Sequence, residues 1–336
     1  MPGPIMAVMD VAATSPGTGI RLVAVRDGKL TEAVSLEELP SLTRDPQARF
    51  WLDLVEPSSA DLAAVAAVLG LHPLIVEDIG ERNERAKVEH VGDVLHMVLF
   101  ALTRDEHIEV SELDYVLSHR FLLSVHPASW DPHAAHQLKL GFGTIIERGL
   151  DYLLWALVDA VVDGYFPIFD RLADEIDDLQ DRVIAKPDRE TLEEIFGLKR
   201  ELIRIRHVIG PSREIFNQLT SREDDLIGEA QILYFRDVYD HLVRLTDDFD
   251  SSRELVASTV EVYLSTINNN LSLIMKRLTG VTVVLAGIAA FSGVFGMSEA
   301  GPAFSGLEPL GFWLVVATAV LLGALTVGFL RWIDWL

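Results

Sequence analysis

The spacing of apolar and polar residues changes character several times along the chain. Between residues 20 and about 130, short apolar runs at Ile20–Val25, Phe50–Val55, Val94–Leu102, Leu113–Leu117 and Phe121–Val125 predict strands. Ser59–Leu69 predicts a helix among them, opened by a capping serine and with Asp61 in its first turn. Pro127 and Pro132 close this α/β region. From about Gly143 the period becomes helical. Val158, Val162, Tyr165, Phe169, Leu172, Ile176, Leu179 and Val183 recur at steps of 4 and 3, a seam that calls for a partner helix. Asp159, Asp163, Asp170, Asp174, Asp177 and Asp181 recur on another face of the same predicted helix. Lys186-Pro187-Asp188 predicts a break, and a second helical stretch through Ile195, Leu198, Leu202, Ile205 and Ile209 is expected to kink at Gly210-Pro211. A third stretch begins near Glu229 with Phe235, Val238, Leu242, Leu245, Phe249 and Val256. No proline lies between Pro211 and Pro302 and no glycine between Gly228 and Gly280, so one helix is expected from Glu229 to Phe295. At 1.5 Å per residue it would rise about 100 Å.

The last pattern is apolar on every side. Leu278 to Ser298 is an uncharged run of 21 residues and Leu310 to Leu330 is another of 21. About 20 apolar residues cross the hydrocarbon core as a helix, so two membrane spans are expected. Lys276 and Arg277 precede the first and Arg331 follows the second, whereas Glu299 and Glu308 are the charges of the connection. The positive-inside rule then places both ends in the cytoplasm and residues 299–309 outside. Trp332 and Trp335 suit the inner interface, and Phe312 and Trp313 the outer one. No leader with a basic start and an apolar core is expected in Met1 to Gly19.

Charge sharpens this division. The 336 residues hold 28 Lys+Arg and 51 Asp+Glu, a formal net charge of −23. Residues 271–336 sum to zero, so the whole excess lies in residues 1–270. So acidic a chain is a poor nucleic-acid binder, because phosphates would be repelled. Cysteine is absent, which excludes disulfides, thiolate metal sites and cysteine nucleophiles. There is no Walker-type phosphate loop, and Gly141-Phe-Gly143 lacks the third glycine of a dinucleotide site, so an enzyme is not expected. The division is 1–19 as a flexible N-terminus, 20–142 as a cytoplasmic α/β domain and 143–270 as a helical stalk. Residues 271–298 form the stalk end and first span, 299–309 an external loop, and 310–336 the second span and C-terminus. The fold class is an α+β membrane protein.

Four stretches stand in order ahead of the two expected spans: Leu71-His-Pro-Leu-Ile-Val-Glu-Asp78 with Arg85-Ala-Lys-Val-Glu89, Asp151-Tyr-Leu-Leu154 with Asp159-Ala-Val-Val-Asp163, Tyr234-Phe-Arg-Asp-Val-Tyr-Asp-His241, and Val262-Tyr-Leu-Ser265. Together they resemble the CorA family of divalent-cation transporters, which have two membrane spans and a Gly-x-Asn motif. The resemblance implies a homopentameric funnel in the inner (plasma) membrane, with the first spans around a central pore and long coiled-coil-like stalk helices below it. Where the family ends its pore helix with Gly-Met-Asn, this chain has Gly296-Met297-Ser298.

Counting back from Ser298, the resemblance puts Gly293, Ala289, Ala286, Thr282, Leu278, Met275 and Ser272 along the pore. Steps of three and four hold these on one helix face, and close packing through small residues is the competing explanation. Mg²⁺ sheds its water reluctantly, so uncharged oxygens that bond its hydration shell suit a pore better than a tight carboxylate ring. Ser298 offers a shorter oxygen than asparagine would. Met275 and Leu278 are the large apolar members and form the expected gate, closing by dewetting. Repeated around an oligomer, Glu299 and Glu308 would attract cations. The resemblance also implies regulatory cations between cytoplasmic domains, with Asp78 and Glu77 on one stretch and Asp237 on another as ligands. Mg²⁺ is the expected transported and regulatory ion, with Co²⁺ or Ni²⁺ as further cargo. A ZntB-like Zn²⁺ transporter is the nearest alternative, for which His133 and His136 offer a ligand pair. A non-transporting metal sensor is the other, given the missing asparagine.

Overall fold

The computed structural model describes residues 19–26, 29–31, 36–82, 85–105, 107–132, 142–221, 224–296 and 308–332. It separates into two compact units. The first comprises residues 1–178 and 194–256, the second residues 179–193 and 257–336.

The first unit is built on a seven-stranded sheet in the order β2-β1-β3-β7-β6-β5-β4. Its strands are β1 Ile20–Arg26, β2 Lys29–Thr31, β3 Arg49–Val55, β4 Lys87–Val91, β5 Val94–Arg104, β6 Ile108–Leu117 and β7 Phe121–His126. β3 and β7 pair parallel and every other pair is antiparallel. Two strands go beyond the five expected ones. β2 has only three residues, and β4 is the edge strand formed by the Lys-Val-Glu stretch.

Both faces of the sheet are covered, which is why its central strands read as continuous apolar runs rather than as an alternation. One face carries Leu22, Ala24, Phe50, Leu52, Leu54, Val116, Leu123 and Val125. Three helices close over it: α1 Leu39–Arg44, α2 Ser59–Leu69 and α3 Pro73–Glu81. α2 opens on a capping box in which the Ser58 hydroxyl accepts from the Asp61 amide and the Asp61 carboxylate accepts from the Ser58 amide. In α3, His72 caps through Nδ1, which accepts from the Leu74 amide, and Pro73 fills the first turn where no amide is needed. The opposite face of the sheet, with Trp51 and Tyr115, meets α5 Leu150–Asp163, preceded by α4 Phe142–Arg148.

The stripe at 158–183 is not one helix. α5 ends at Asp163 and α6 runs over Phe166–Ala185. Gly164 caps α5, and Pro167 sits in the first turn of α6. A turn of two residues preserves the 4-3 spacing, which is why the period hides it. Ala185 does end α6 at the expected break, and α7 takes up at Arg189. The kink expected at Gly210-Pro211 does not divide α7, which continues to Ser221 as a single 33-residue helix with Pro211 inside it. At the turn where proline has no amide to donate, the Ser212 hydroxyl donates to Val208 O at 2.7 Å.

α8, Glu229–Gly296, is unbroken over 68 residues, as its lack of proline predicts. Asp151 anchors its start. One carboxylate oxygen accepts from the Gly228 amide at 3.0 Å and the other from the Tyr152 amide at 2.9 Å. A side chain at Gly228 would press to 2.7 Å from Gln231 Oε1. In the second unit, Gln180 donates to Thr259 Oγ1 at 3.1 Å and the Tyr263 hydroxyl donates to Asp188 O at 3.3 Å. α9, Glu308–Trp332, supplies the last apolar helix, and Gly323 admits Ile288 Cδ1 to 3.5 Å from where a side chain would begin.

Candidate ion path and cation-binding groups

The expected pore line falls on the second half of α8. Ser272, Met275, Leu278, Thr282, Ala286, Ala289 and Gly293 are all exposed in the single chain, with Met275 at 67% and Leu278 at 66%. So are their neighbours Leu271, Leu273, Ile274, Val281, Val283 and Leu285. An apolar helix left open on nearly every side needs lipid or further copies to cover it. The two hydroxyls on the line are already committed as donors. Ser272 donates to Asn268 O at 2.9 Å and Thr282 to Leu278 O at 2.7 Å. Their oxygens therefore face outward as acceptors, the polarity that the water shell of a cation requires. Gly296 is the last residue of α8 and Glu308 the first of α9. Met297, Ser298 and Glu299 lie outside the described residues, as do His133 and His136.

In the first unit, the structure assembles a cluster that the sequence does not single out. One ligand atom each from Asp159, Asp163 and His241 lie within 4.8 Å of one another. His241 Nδ1 is 3.5 Å from Asp163 Oδ1, and its Nε2 is 4.0 Å from Asp237 Oδ2. Burial raises the Asp163 carboxyl above its ordinary value, His241 opposes this, and the Asp237 charge adds to it. Carboxylates suit hard cations and an imidazole extends the set toward Co²⁺, Ni²⁺ and Zn²⁺. The sequence expectation reached Asp237 as a ligand, but placed Asp159 and Asp163 in an acidic stripe and a family-like stretch without making them ligands. Asp159 is in fact 4% exposed, so it does not belong to a solvated face. The available signal was the i, i+4 spacing of Asp159 with Asp163 and of Asp237 with His241, which puts each pair on one side of its helix.

Glu77 and Asp78 stand elsewhere on α3. Among the described residues, no group of three or more metal-binding side chains includes them. Glu77 is exposed. Asp78 Oδ2 is 2.5 Å from Lys87 Nζ on β4 and 4.0 Å from Nδ1 of the fully buried His96 on β5. His96 Nε2 lies 3.0 Å from Asp114 Oδ1 on β6, and Lys87 Nζ lies 3.5 Å from Glu89 Oε2. Burial alone would lower the Lys87 pKa, but its bond to Asp78 and the charges of Asp78 and Glu89 raise it above the ordinary value. Burial pushes the Asp114 carboxyl up, against the opposing effect of His96.

Residues 47–331 match the model of the CorA-like Mg²⁺ transporter protein family. The chain belongs to that family. It is 31% identical over 280 residues to the cobalt/magnesium transport protein CorA of Thermotoga maritima, covering 81% of this chain and 78% of the relative. The zinc transport protein ZntB of Cronobacter sakazakii is 26% identical over 171 residues, half of this chain and 51% of the relative. The complete structure of the CorA magnesium transporter from Methanocaldococcus jannaschii superposes with a TM-score of 0.75 at 24% identity, over 94% of this chain and 98% of the other. That likeness extends the fold through both units. CorA-family membership makes the chain an ion transporter by descent and not an enzyme.

Among the described residues, two helical stretches are apolar and long enough to span a membrane, and Leu150–Ala185 is mostly buried, so it is a core stretch. The apolar part of Glu229–Val294 is almost wholly exposed. α9, Glu308–Trp332, carries the second uncharged run, Leu310 to Leu330.

Proposed function

We propose that the chain conducts Mg²⁺, and Co²⁺ or Ni²⁺ with it, down the electrochemical gradient as a homopentamer in the inner (plasma) membrane, both termini cytoplasmic. The observation that carries this reading is the composition of α8. Its first half brings Asp237 and His241 to the acidic cluster, and its second half presents small residues and acceptor oxygens along one line. Cations held by the cytoplasmic acids act on the helix that lines the pore. Asp78, with Glu77, and Asp237 serve as regulatory ligands between neighbouring copies. Met275 and Leu278 close the inner end by dewetting. Gly296, Met297 and Ser298 end the pore, with Glu299 and Glu308 concentrating cations outside.

Zn²⁺ transport is the second reading, favoured by the imidazole of His241 in the cluster and by the ZntB relative. Flux into liposomes for Mg²⁺, Co²⁺, Ni²⁺ and Zn²⁺ separates them. The natural protein is expected to pass Mg²⁺, and Ser298→Asn to raise the preference for Mg²⁺ over Zn²⁺. Preferential Zn²⁺ flux would establish the second reading. Silence of both proteins toward every ion would leave a metal sensor without transport.

A further inference from the structure

The cation already at Asp78 is the chain's own. Lys87 Nζ sits 2.5 Å from Asp78 Oδ2, and the two side chains are 24% and 29% exposed. The pair is thus reachable from solvent but not fully screened by it. Its rear is closed, because His96, buried at 0%, faces the same carboxylate oxygen and is held from behind by Asp114. The sheet register fixes this arrangement. Lys87 on β4 and Asp114 on β6 both lie opposite Val98 of β5, and Glu89 lies opposite His96 one row along. All of them face α3, which carries Asp78.

We propose that Lys87 is a tethered competitor of the regulatory cation, occupying Asp78 until a divalent ion displaces it and so setting the concentration at which that ion binds. This rests on Asp78 being a regulatory ligand. A divalent ion and the ammonium repel each other on one carboxylate, so an ion at Asp78 weakens the hold on Lys87 and favours its departure. Lysine suits the task, being a compact charge on a flexible four-carbon stem rather than a rigid bidentate fork. Glu89, 3.5 Å from Lys87 Nζ and half-exposed, receives the ammonium when it moves. The filled and empty sites then differ by which carboxylate Lys87 holds, and its charge never becomes unpaired.

The test is the Mg²⁺ concentration that half-protects the full-length protein, in detergent micelles, from chymotrypsin. That protease is chosen because replacing a lysine removes a tryptic site. Lys87→Met keeps most of the stem and removes the charge, and the midpoint is expected to fall about threefold, the scale of one partly exposed pair. Lys87→Arg retains the charge and should leave the midpoint near that of the natural protein. Asp78→Asn should raise it, and adding Lys87→Met to Asp78→Asn should change nothing further. A midpoint that Asp78→Asn raises and Lys87→Met leaves in place or raises overturns the inference alone. An equal fall in both backgrounds also overturns it, because Lys87 would then act through the general field. A midpoint untouched by Asp78→Asn removes Asp78 as a ligand, and the inference with it.

Discussion

Leu150–Ala185 and the second half of α8 are both apolar enough to cross a bilayer, yet they meet opposite fates. The first is enclosed by its own chain: Leu153, Leu154, Leu157 and Val158 are all 0% exposed. The second is left open, with Ile274, Met275, Leu278, Leu285 and Val294 each at least 60% exposed. Composition states that a helix must be covered, and only tertiary structure states what covers it. In the first unit the cover is the back of the sheet, whose strands supply Trp51, Tyr115 and Leu122. In the second, the described residues of the chain leave the helix uncovered.

One substitution on each side would break the contrast if it were wrong. Leu157→Ala removes a fully buried side chain and is expected to cost about 2–5 kcal/mol, from lost burial and the cavity left behind. Thermal unfolding in detergent would show it. The same truncation at two exposed positions, Met275→Ala with Leu278→Ala, should leave that transition almost unmoved and raise resting ion flux in liposomes. Unchanged flux would remove the apolar gate. A large loss of stability from the second pair would mean that these side chains carry structural packing instead.

Legibility followed the same line. Elements governed by local rules were readable: the 68-residue α8 from its missing prolines, the Ser58 cap from the acid three residues on, the break at Pro187. The turn at Gly164-Tyr165 was not, because two residues of turn leave the apolar period in step. Pro211 lies inside a helix that stays continuous, because the buried Ile205, Val208, Ile215 and Phe216 hold it where the ring and missing amide weaken it. At the candidate cation site, Asp237 was found through a motif. Asp159, Asp163 and His241 stand in family-like stretches too, but joining them into one cluster required knowing that α5 and α8 are neighbours, which no spacing within either helix conveys.

Covering the sheet from both sides also traps polar groups, and this gives a pH-dependent prediction. Asp53, Ser124 and His126 are all buried. The Ser124 hydroxyl donates to Asp53 Oδ1 at 2.5 Å and accepts from Trp51 Nε1 at 2.8 Å, and His126 Nε2 is 3.1 Å from the same Asp53 oxygen. Burial would lower the His126 pKa, but its bond to Asp53 and the Asp53 charge outweigh that and raise it above its ordinary value of 6.5. Its protonated form is therefore favoured by folding. The stability contributed is fully present below the unfolded value near 6.5 and is lost as pH rises through the higher folded value. Unfolding temperatures should decline across that window, and His126→Gln should flatten the decline. A slope that survives the substitution would assign it to another group.

The smallest effect concerns the junction where the covered helix meets the long one. Asp151 begins α5 and holds the amide of Gly228, whose own carbonyl accepts from Gln231 and Ile232 in the first turn of α8. Asp151→Ala leaves that amide without its acceptor at the positive end of a helix, a loss of about 1 kcal/mol on the scale of helix caps. Asp151→Asn keeps an acceptor oxygen and should lose less. Because the change lies in the first unit, it should show as faster amide exchange in the opening turns of α8 and leave the exposed segment around Leu278 unaffected. Equal exchange in Asp151→Ala and the natural protein would mean that packing of Phe235 and Val238, both 0% exposed, holds the start of the helix without the cap.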